Sequence, residues 1–331
     1  MTTTGQRFTR RGLSGLGLAA AVPAVVRAQQ AVWPNAPVRL VVPFGAGGAV
    51  DTLSRLVANG FGAHANGQPI VVENRSGAGG TIAGQAVAQA RPDGTTLMMA
   101  DLGANCIGRV LQPSLGYDPM TAFTPIIHLV NLPIVIIVRA ESSARTLADL
   151  LDLARGRADG ITYASPGVGH VSHLAPELLA RRAGVRFTAV HYRSGADVMR
   201  SLLAGETEFT FPSVSTALPF IRDGKARALA IGTPRPVAAL PGVPSVADSF
   251  AGFEAMTWHG ISGPAGMDAG LVQQINRVFR TVIMTPEVKQ GIETRQAAEV
   301  IAGTPAEFAT LIANDLAKWA PVIREGNIRA E

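Results

Sequence analysis

The stretch Arg39-Leu-Val-Val-Pro-Phe-Gly-Ala-Gly-Gly-Ala-Val-Asp-Thr-Leu-Ser-Arg55 constrains the fold of this chain more than any other. Its apolar run Leu40–Val42 is of the kind that forms a strand buried on both faces. Pro43 and a loop with glycines at 45, 47 and 48 follow. Leu53, Leu56 and Val57 then lie on one side of a predicted helix. A strand, a glycine loop and a helix start together make an anion site. Several backbone N–H groups converge there, and the helix dipole adds partial positive charge. The loop is expected to receive a carboxylate.

The pattern returns about 120 residues later. Ile161–Ala164 reads as a strand, Ser165-Pro-Gly-Val-Gly169 as a glycine loop, and Val171–Ala183 as a helix. Gly184 suits its C-cap, and Arg181 and Arg182 suit the negative end of its dipole. Pro176 is expected in the first turn, where a missing N–H is harmless. Strands predicted at Pro69–Glu73, Thr95–Ala100, Ile134–Val138, Phe187–Tyr192, Glu208–Pro212 and Ala228–Gly232 alternate with helical patterns. That alternation argues for a parallel α/β architecture. Thr146-Leu-Ala-Asp149 is a capping-box variant opening one helix. Asp101–Asp118 reads as loop, the proline-rich run Thr233–Asp248 as a long connection, and 268–284 and 305–324 as closing helices. Two such glycine corners at strand C-termini can face each other across a cleft.

Composition narrows the partners. Apolar residues make up 47% of the 331-residue chain and charged residues 16%, enough for a sizeable core. The formal charge of +5 loses four units to Arg7, Arg10, Arg11 and Arg27, which no acid offsets before residue 29. The remainder is close to neutral and carries no electrostatic footprint for nucleic acid. The basic head Arg7–Arg11, the apolar Leu13–Val26 and the small-residue site Val26-Arg27-Ala28 form a secretory signal peptide, residues 1–28. Arg10-Arg11 leaves the Sec and twin-arginine routes both open. No later segment reaches the roughly 18 apolar residues of a membrane helix, so an exported, soluble protein is expected. Cys106 is the single cysteine, which excludes an internal disulfide.

Other chemistries fit poorly. Gly45-x-Gly47 is followed by Val50 and Gly77-x-Gly79 by Ile82, so neither gives a dinucleotide fingerprint. Gly224-Lys225 precedes Ala226, not the Ser or Thr of a phosphate loop. His170, His173 and Glu177 could share a helix face and offer zinc ligands. The competing reading has His173 bonded to nearby backbone and Glu177 at the surface. Ser165, His170, His191 and Asp51 are hydrolase residue types, but no spacing ties a serine to a base. No enzyme, cofactor or metal is expected. Asp51 should brace the first helix, since it would repel an anion. Phe44 could wall a pocket, and Tyr192-Arg193 could add a hydroxyl and a charge.

Ordered stretches along the whole mature chain carry a family resemblance. They include Trp33-Pro34, Arg39–Asp51, Gly67-Gln68, Val71-Val-Glu-Asn-Arg-Ser-Gly-Ala-Gly-Gly80, Arg91-Pro-Asp-Gly94 and Tyr117-Asp-Pro119. Ser165–Leu174, Tyr192-Arg193, Ile221-Arg-Asp-Gly-Lys225, Leu240-Pro-x-Val-Pro244 and Trp258-x-Gly260 continue the series. The chain resembles the Bug family, periplasmic substrate-binding proteins of tripartite tricarboxylate transporters (TctC-like). The resemblance implies a two-lobed, type II-like periplasmic binding fold. Each lobe would be a mainly parallel sheet flanked by helices, with the ligand cleft between them. It also implies that a carboxylate is held by backbone amides and ordered water from two facing loops.

Those loops map to Phe44, Gly45, Ala46, Gly47 and Gly48, and to Ser165, Gly167, Val168, Gly169 and His170. Asn105, Tyr192 and Ser213 complete the expected ligand contacts. Two departures bear on the ligand. The family usually has a small hydroxyl residue at the position of His170, and Ser194-Gly-Ala-Asp197 differs from the common pattern. An imidazole could donate a hydrogen bond, or carry charge if its pKa is raised. Lobe one is expected at 31–130 plus 250–331 and lobe two at 131–249, joined by two crossing strands. The expected function is periplasmic capture of a di- or tricarboxylate, amino acid or aromatic acid. A monomer would deliver it to the membrane subunits of a transporter or to a sensor. An exported carboxylate enzyme and a metal-binding protein are the rival readings.

Overall fold

The structure is a computed structural model that describes residues 1–5, 32–192 and 194–330. Most of the expected signal peptide and Arg193 lie outside the described residues. The fold considered below is that of Val32 onward.

Among the described residues, eleven strands form two sheets. The first holds β1 (Val38–Val42), β2 (Ile70–Asn74), β3 (Thr96–Ala100), β4 (Phe123–Pro133), β10 (Met256–Pro264) and β11 (Glu299–Val300), in the order β11-β4-β10-β3-β1-β2. The second holds β5 (Val135–Arg139), β6 (Ile161–Ser165), β7 (Phe187–His191), β8 (Phe209–Thr210) and β9 (Ala226–Ile231), in the order β7-β6-β8-β5-β9. The helices are α1 (Ala49–Phe61), α2 (Thr81–Ala88), α3 (Gly108–Leu111), α4 (Leu147–Arg155) and α5 (Val171–Ala183). They continue as α6 (Gly195–Ala204), α7 (Val214–Arg222), α8 (Ala269–Met284), α9 (Pro286–Arg295) and α10 (Pro305–Glu325). No helix among the described residues is long and apolar enough to cross a membrane.

Both sheets are mixed, which corrects the expectation of mainly parallel ones. β1 runs parallel to β2 and β3, and β6 runs parallel to β7 and β8. These are the strand–loop–helix units legible in the sequence. The antiparallel pairs come from β4, β5 and β10, which carry the chain between the sheets. β4 passes into β5 through Ile134. There Gly232 donates to the Ile134 carbonyl at 2.8 Å, and Ala255 donates to the Gly232 carbonyl at 2.9 Å. A Cβ on Gly232 would sit 2.4 Å from the Ala255 oxygen, so only glycine lets the crossing chains approach this closely.

β1 is buried on both faces. Val38, Leu40 and Val42 join a core with Val57, Phe61, Trp33 and Phe279 beneath α1 and α8, while Val41 packs with Ala83, Val87 and Met98 under α2. Fully burying each such side chain stabilises the fold by roughly 1.5–3 kcal/mol. A further core joins the sheets, with Ile107, Leu111, Val171, Leu174, Trp258, Phe308 and Trp319 in one cluster. Arg181, expected at its own helix end, instead reaches α10, donating to the Val322 carbonyl at 3.0 Å and pairing with Glu325 at 2.6 Å.

Local signals mostly hold. Thr146 and Asp149 form the reciprocal capping box of α4, and Gly184 ends α5 in the left-handed conformation. Pro176 lies inside α5, one turn further in than expected, so the Ser172 carbonyl loses its usual i+4 donor. The Asp101–Asp118 segment, read as loop, contains the π-helical turn Gly103–Ile107 followed by α3.

Candidate ligand site at two glycine loops

The first loop is braced from behind. Asp51, 3% exposed, accepts the Gly47 amide at 2.9 Å and the Arg55 Nε at 3.0 Å. Asn74, at the end of β2, donates to the Asp51 Oδ1 and to the Phe44 carbonyl, both at 2.9 Å. Burial alone would push the Asp51 carboxyl up, but bonds from Arg55, Gly47 and Asn74 outweigh it and hold it below the usual range. The carboxylate is therefore turned into the loop, as expected of a brace. Gly45–Gly48 are exposed, and a Cβ at Gly45 or Gly47 would meet nothing within 4 Å. Gly47 adopts a φ of +81°, which favours glycine. α1 starts at Gly48 with no side-chain cap, and helix geometry leaves its first-turn N–H groups without intrahelical acceptors. Phe44 is half-buried at the start of the loop.

The second loop is closed on itself. The Ser165 hydroxyl donates to the Gly167 carbonyl at 3.1 Å and accepts the Gly167 amide at 3.3 Å. Gly169 donates to His173 Nδ1 at 3.2 Å, and Ser172 donates to His170 Nδ1 at 3.1 Å. His170 thus caps α5 with its ring, in the role a hydroxyl side chain usually fills. Burial pushes the His170 imidazole down to about 4, so it is neutral near pH 7, opposite to the raised pKa considered from the sequence. Gly169 has a φ of +77°, and a Cβ there would strike Leu111 of α3 at 2.2 Å. The half-buried Gly167 has open space in its Cβ direction, and Val168 packs against the core that joins the sheets.

The remaining candidates separate. Asn105 is buried in the turn after β3, its Oδ1 accepting the Asp101 amide at 3.1 Å. Tyr192 donates its backbone N–H to the Ser165 carbonyl at 2.8 Å, but its hydroxyl bonds Glu206 at 3.2 Å. That hydroxyl faces a hollow of about 430 Å³ lined by His191, Asp197, Arg200 and Glu206, not the glycine loops. Ser213 caps α7 and bonds Thr216 and Ser215. His173 and Glu177 are likewise engaged, the first with Gly169 and the second with the Tyr163 hydroxyl at 2.8 Å. No group of three metal-ligating side chains occurs among the described residues.

Asp101 was not legible as part of the site. It is 5% exposed, and burial pushes its carboxyl up to about 7 against the opposing Ala104 and Gly103 amides. A carboxylate immediately after a buried strand is the signal that could have marked it. A Cβ on Gly80 would lie 3.0 Å from Pro43 and 3.5 Å from the Asp101 Oδ1, so the ends of β1 and β3 meet beside this residue.

Comparison with known proteins decides the family. The pattern of the TctC family, the tripartite tricarboxylate transporter family receptor, matches residues 53–328. The chain belongs to this family. Similar solved structures include R. palustris Rpa4515 with adipate, 31% identical, at a TM-score of 0.81 over 90% of this chain and 99% of that one. The periplasmic binding protein BugD is 29% identical, with a TM-score of 0.79 over 90% and 100% of the two chains. MatC from Rhodopseudomonas palustris, with bound malate, is 30% identical, at 0.78 over 88% and 100%. The receptor therefore has the two-lobed α/β fold of TctC and Bug substrate-binding proteins. Its family is one of transport receptors, not of enzymes.

Proposed function

We infer that this receptor captures a small organic carboxylate in the periplasm and delivers it to the membrane subunits of a tripartite tricarboxylate-type transporter. The observation that carries this reading is the open backbone edge at Gly45–Gly48. Its neighbouring carboxylate, Asp51, is tied back into the loop, and the first turn of α1 lies behind it. Such an edge suits an anion. The adipate and malate held by Rpa4515 and MatC support a carboxylate as that anion. The lobes are taken as 31–130 plus 250–331 and 131–249, with the ligand between Phe44–Gly48 and Ser165–His170, and the protein acts as a monomer after removal of residues 1–28.

Thermal unfolding of purified mature protein against a panel of mono-, di- and tricarboxylates tests this. A ligand at a hundred times its Kd stabilises the fold by about 2.7 kcal/mol, which shifts the transition measurably. A panel in which no carboxylate moves the transition overturns the reading.

A further inference from the structure

Two buried side chains at the end of β3 are only partly satisfied. Asn105, 1% exposed, engages the Asp101 amide through Oδ1, while its Nδ2 has no partner. His259, 3% exposed on β10, lies against the backbone of Ala100, and its Nδ1 has no partner. Gly260 pairs with Ala100 in the sheet, which fixes His259 beside the last residue of β3. Two unpaired nitrogens thus flank a single peptide, Ala100–Asp101. Buried polar atoms rarely go without a partner.

Their position is what gives them meaning. β3 lies beside β1 in parallel register, so the peptide sits next to the chain leading into Phe44–Gly48. From the other side, His170 is within electrostatic reach of His259, and Gly169 rests on Leu111 of the segment that carries Asn105. The pair is therefore tied to both loop segments, through Asp101 beside Pro43 and Gly80 and through Leu111 beneath Gly169.

Resting on the carboxylate reading above, we propose that Asn105 and His259 form the selective end of that site and take a hydroxyl group on the chain of the bound carboxylate. Asn105 Nδ2 can only donate, and with the other ring nitrogen of His259 turned to the backbone of Ala100 as donor, the neutral ring leaves Nδ1 to accept. A hydroxyl satisfies both, accepting from the first and donating to the second. A second carboxylate would have to share the seam with the buried Asp101 carboxyl. The bonds of Asp101 come from the Gly103 and Ala104 amides rather than from a cation. Wherever Asp101 is ionised, the like charges would repel in a poorly screened interior.

Isothermal calorimetry at neutral pH tests this with three acids of equal chain length: unsubstituted, bearing a hydroxyl, and bearing a second carboxylate. The oxygenated acid should bind about tenfold tighter than the plain one, as expected for a hydrogen bond to an otherwise unpaired buried group. His259→Phe should erase that ratio, so that the two acids bind alike. A wild-type measurement guards against misfolding of the variant. The His259 ring-nitrogen resonances should move with the oxygenated acid and not with the plain one. Equal binding of plain and oxygenated acids, tightest binding of the dicarboxylate, or resonances that respond equally to both acids would overturn this assignment alone. Failure of all three acids to bind would overturn the carboxylate reading itself.

Discussion

The Asp51 carboxylate accepts the Gly47 amide at 2.9 Å, so a charge that would repel an anion instead fixes the loop offered to it. Asp51→Ala removes bonds from Gly47, Arg55 and Asn74 together. We expect a loss of about 1–3 kcal/mol in stability, because Arg55 is half exposed and water can take up its charge. Carboxylate affinity should fall as well, although Asp51 touches no ligand. Asp51→Asn, which keeps an acceptor for Gly47, should recover much of both. Urea unfolding and calorimetry on the two variants check this, and a fully active alanine variant would contradict it.

Gly169 is held in the left-handed region against Leu111, and both features oppose a side chain. Gly169→Ala should cost about 1–2 kcal/mol for its φ alone, with a further penalty for the 2.2 Å approach. Leu111→Ala should relieve only the second part. A double-mutant cycle on unfolding free energies therefore has a favourable coupling term. Additive losses would mean that the loop does not rest on α3.

Acid should weaken the fold. His170, His173 and His259 are each pushed by burial from an ordinary 6.5 to about 4. Between those values the unfolded chain binds more protons, so stability present above pH 6.5 is lost as pH falls toward 4, by up to roughly 1.4 kcal/mol per unit for each ring. Asp101 acts in the opposite sense. Its folded value of about 7 lies above the ordinary 3.8, so the folded state gains as pH falls through that window. Three rings against one carboxyl leave a net loss. Urea midpoints across pH 7.5 to 4.5 should decline, and His173→Gln should flatten the slope. A rising midpoint would show that Asp101 dominates.

At the crossing of the two connections, Gly232→Ala drives a methyl group into the Ala255 carbonyl. Overpacking of this kind costs about 1–3 kcal/mol. Because the contact joins the segments that link the sheets, the loss should appear as one cooperative transition with an unchanged denaturant slope. Circular dichroism and tryptophan fluorescence should report the same midpoint. Separate midpoints would show the two halves unfolding independently.

The parallel parts of both sheets were legible because their signals are local. β1 and β3 hold the apolar runs Leu40–Val42 and Leu97–Ala100, β6 runs into a glycine loop, and Gly184 and Thr146 sit where helix ends require them. The antiparallel strands of the first sheet, β4, β10 and β11, were hidden, whereas β5, β8 and β9 of the second were read as strands. β4 and β10 gain their partners from distant sequence, and β10 is interrupted by His259, Gly260 and Gly263, so its residues do not alternate clearly. Both glycine loops lie between a strand and a helix as expected, because glycine spacing records backbone shape. The destinations of side chains were not recorded in the same way. Nothing local to Tyr192 shows that its hydroxyl turns to Glu206, and nothing local to Trp258-His259-Gly260 shows that the imidazole meets Ala100. Such facts depend on which strands become neighbours.

The Ser165 hydroxyl and the Asp51 carboxylate both bond to the amides of their own loops, leaving main chain as the exposed edge at Gly45–Gly48. Point mutation changes side chains and leaves amide groups in place. Under the proposed function, the affinity for a carboxylate is then inherited with the backbone path and resists genetic drift. The discriminating positions around it can change one codon at a time. A lineage of such receptors could thus exchange one organic acid for another without ever passing through an inactive ancestor.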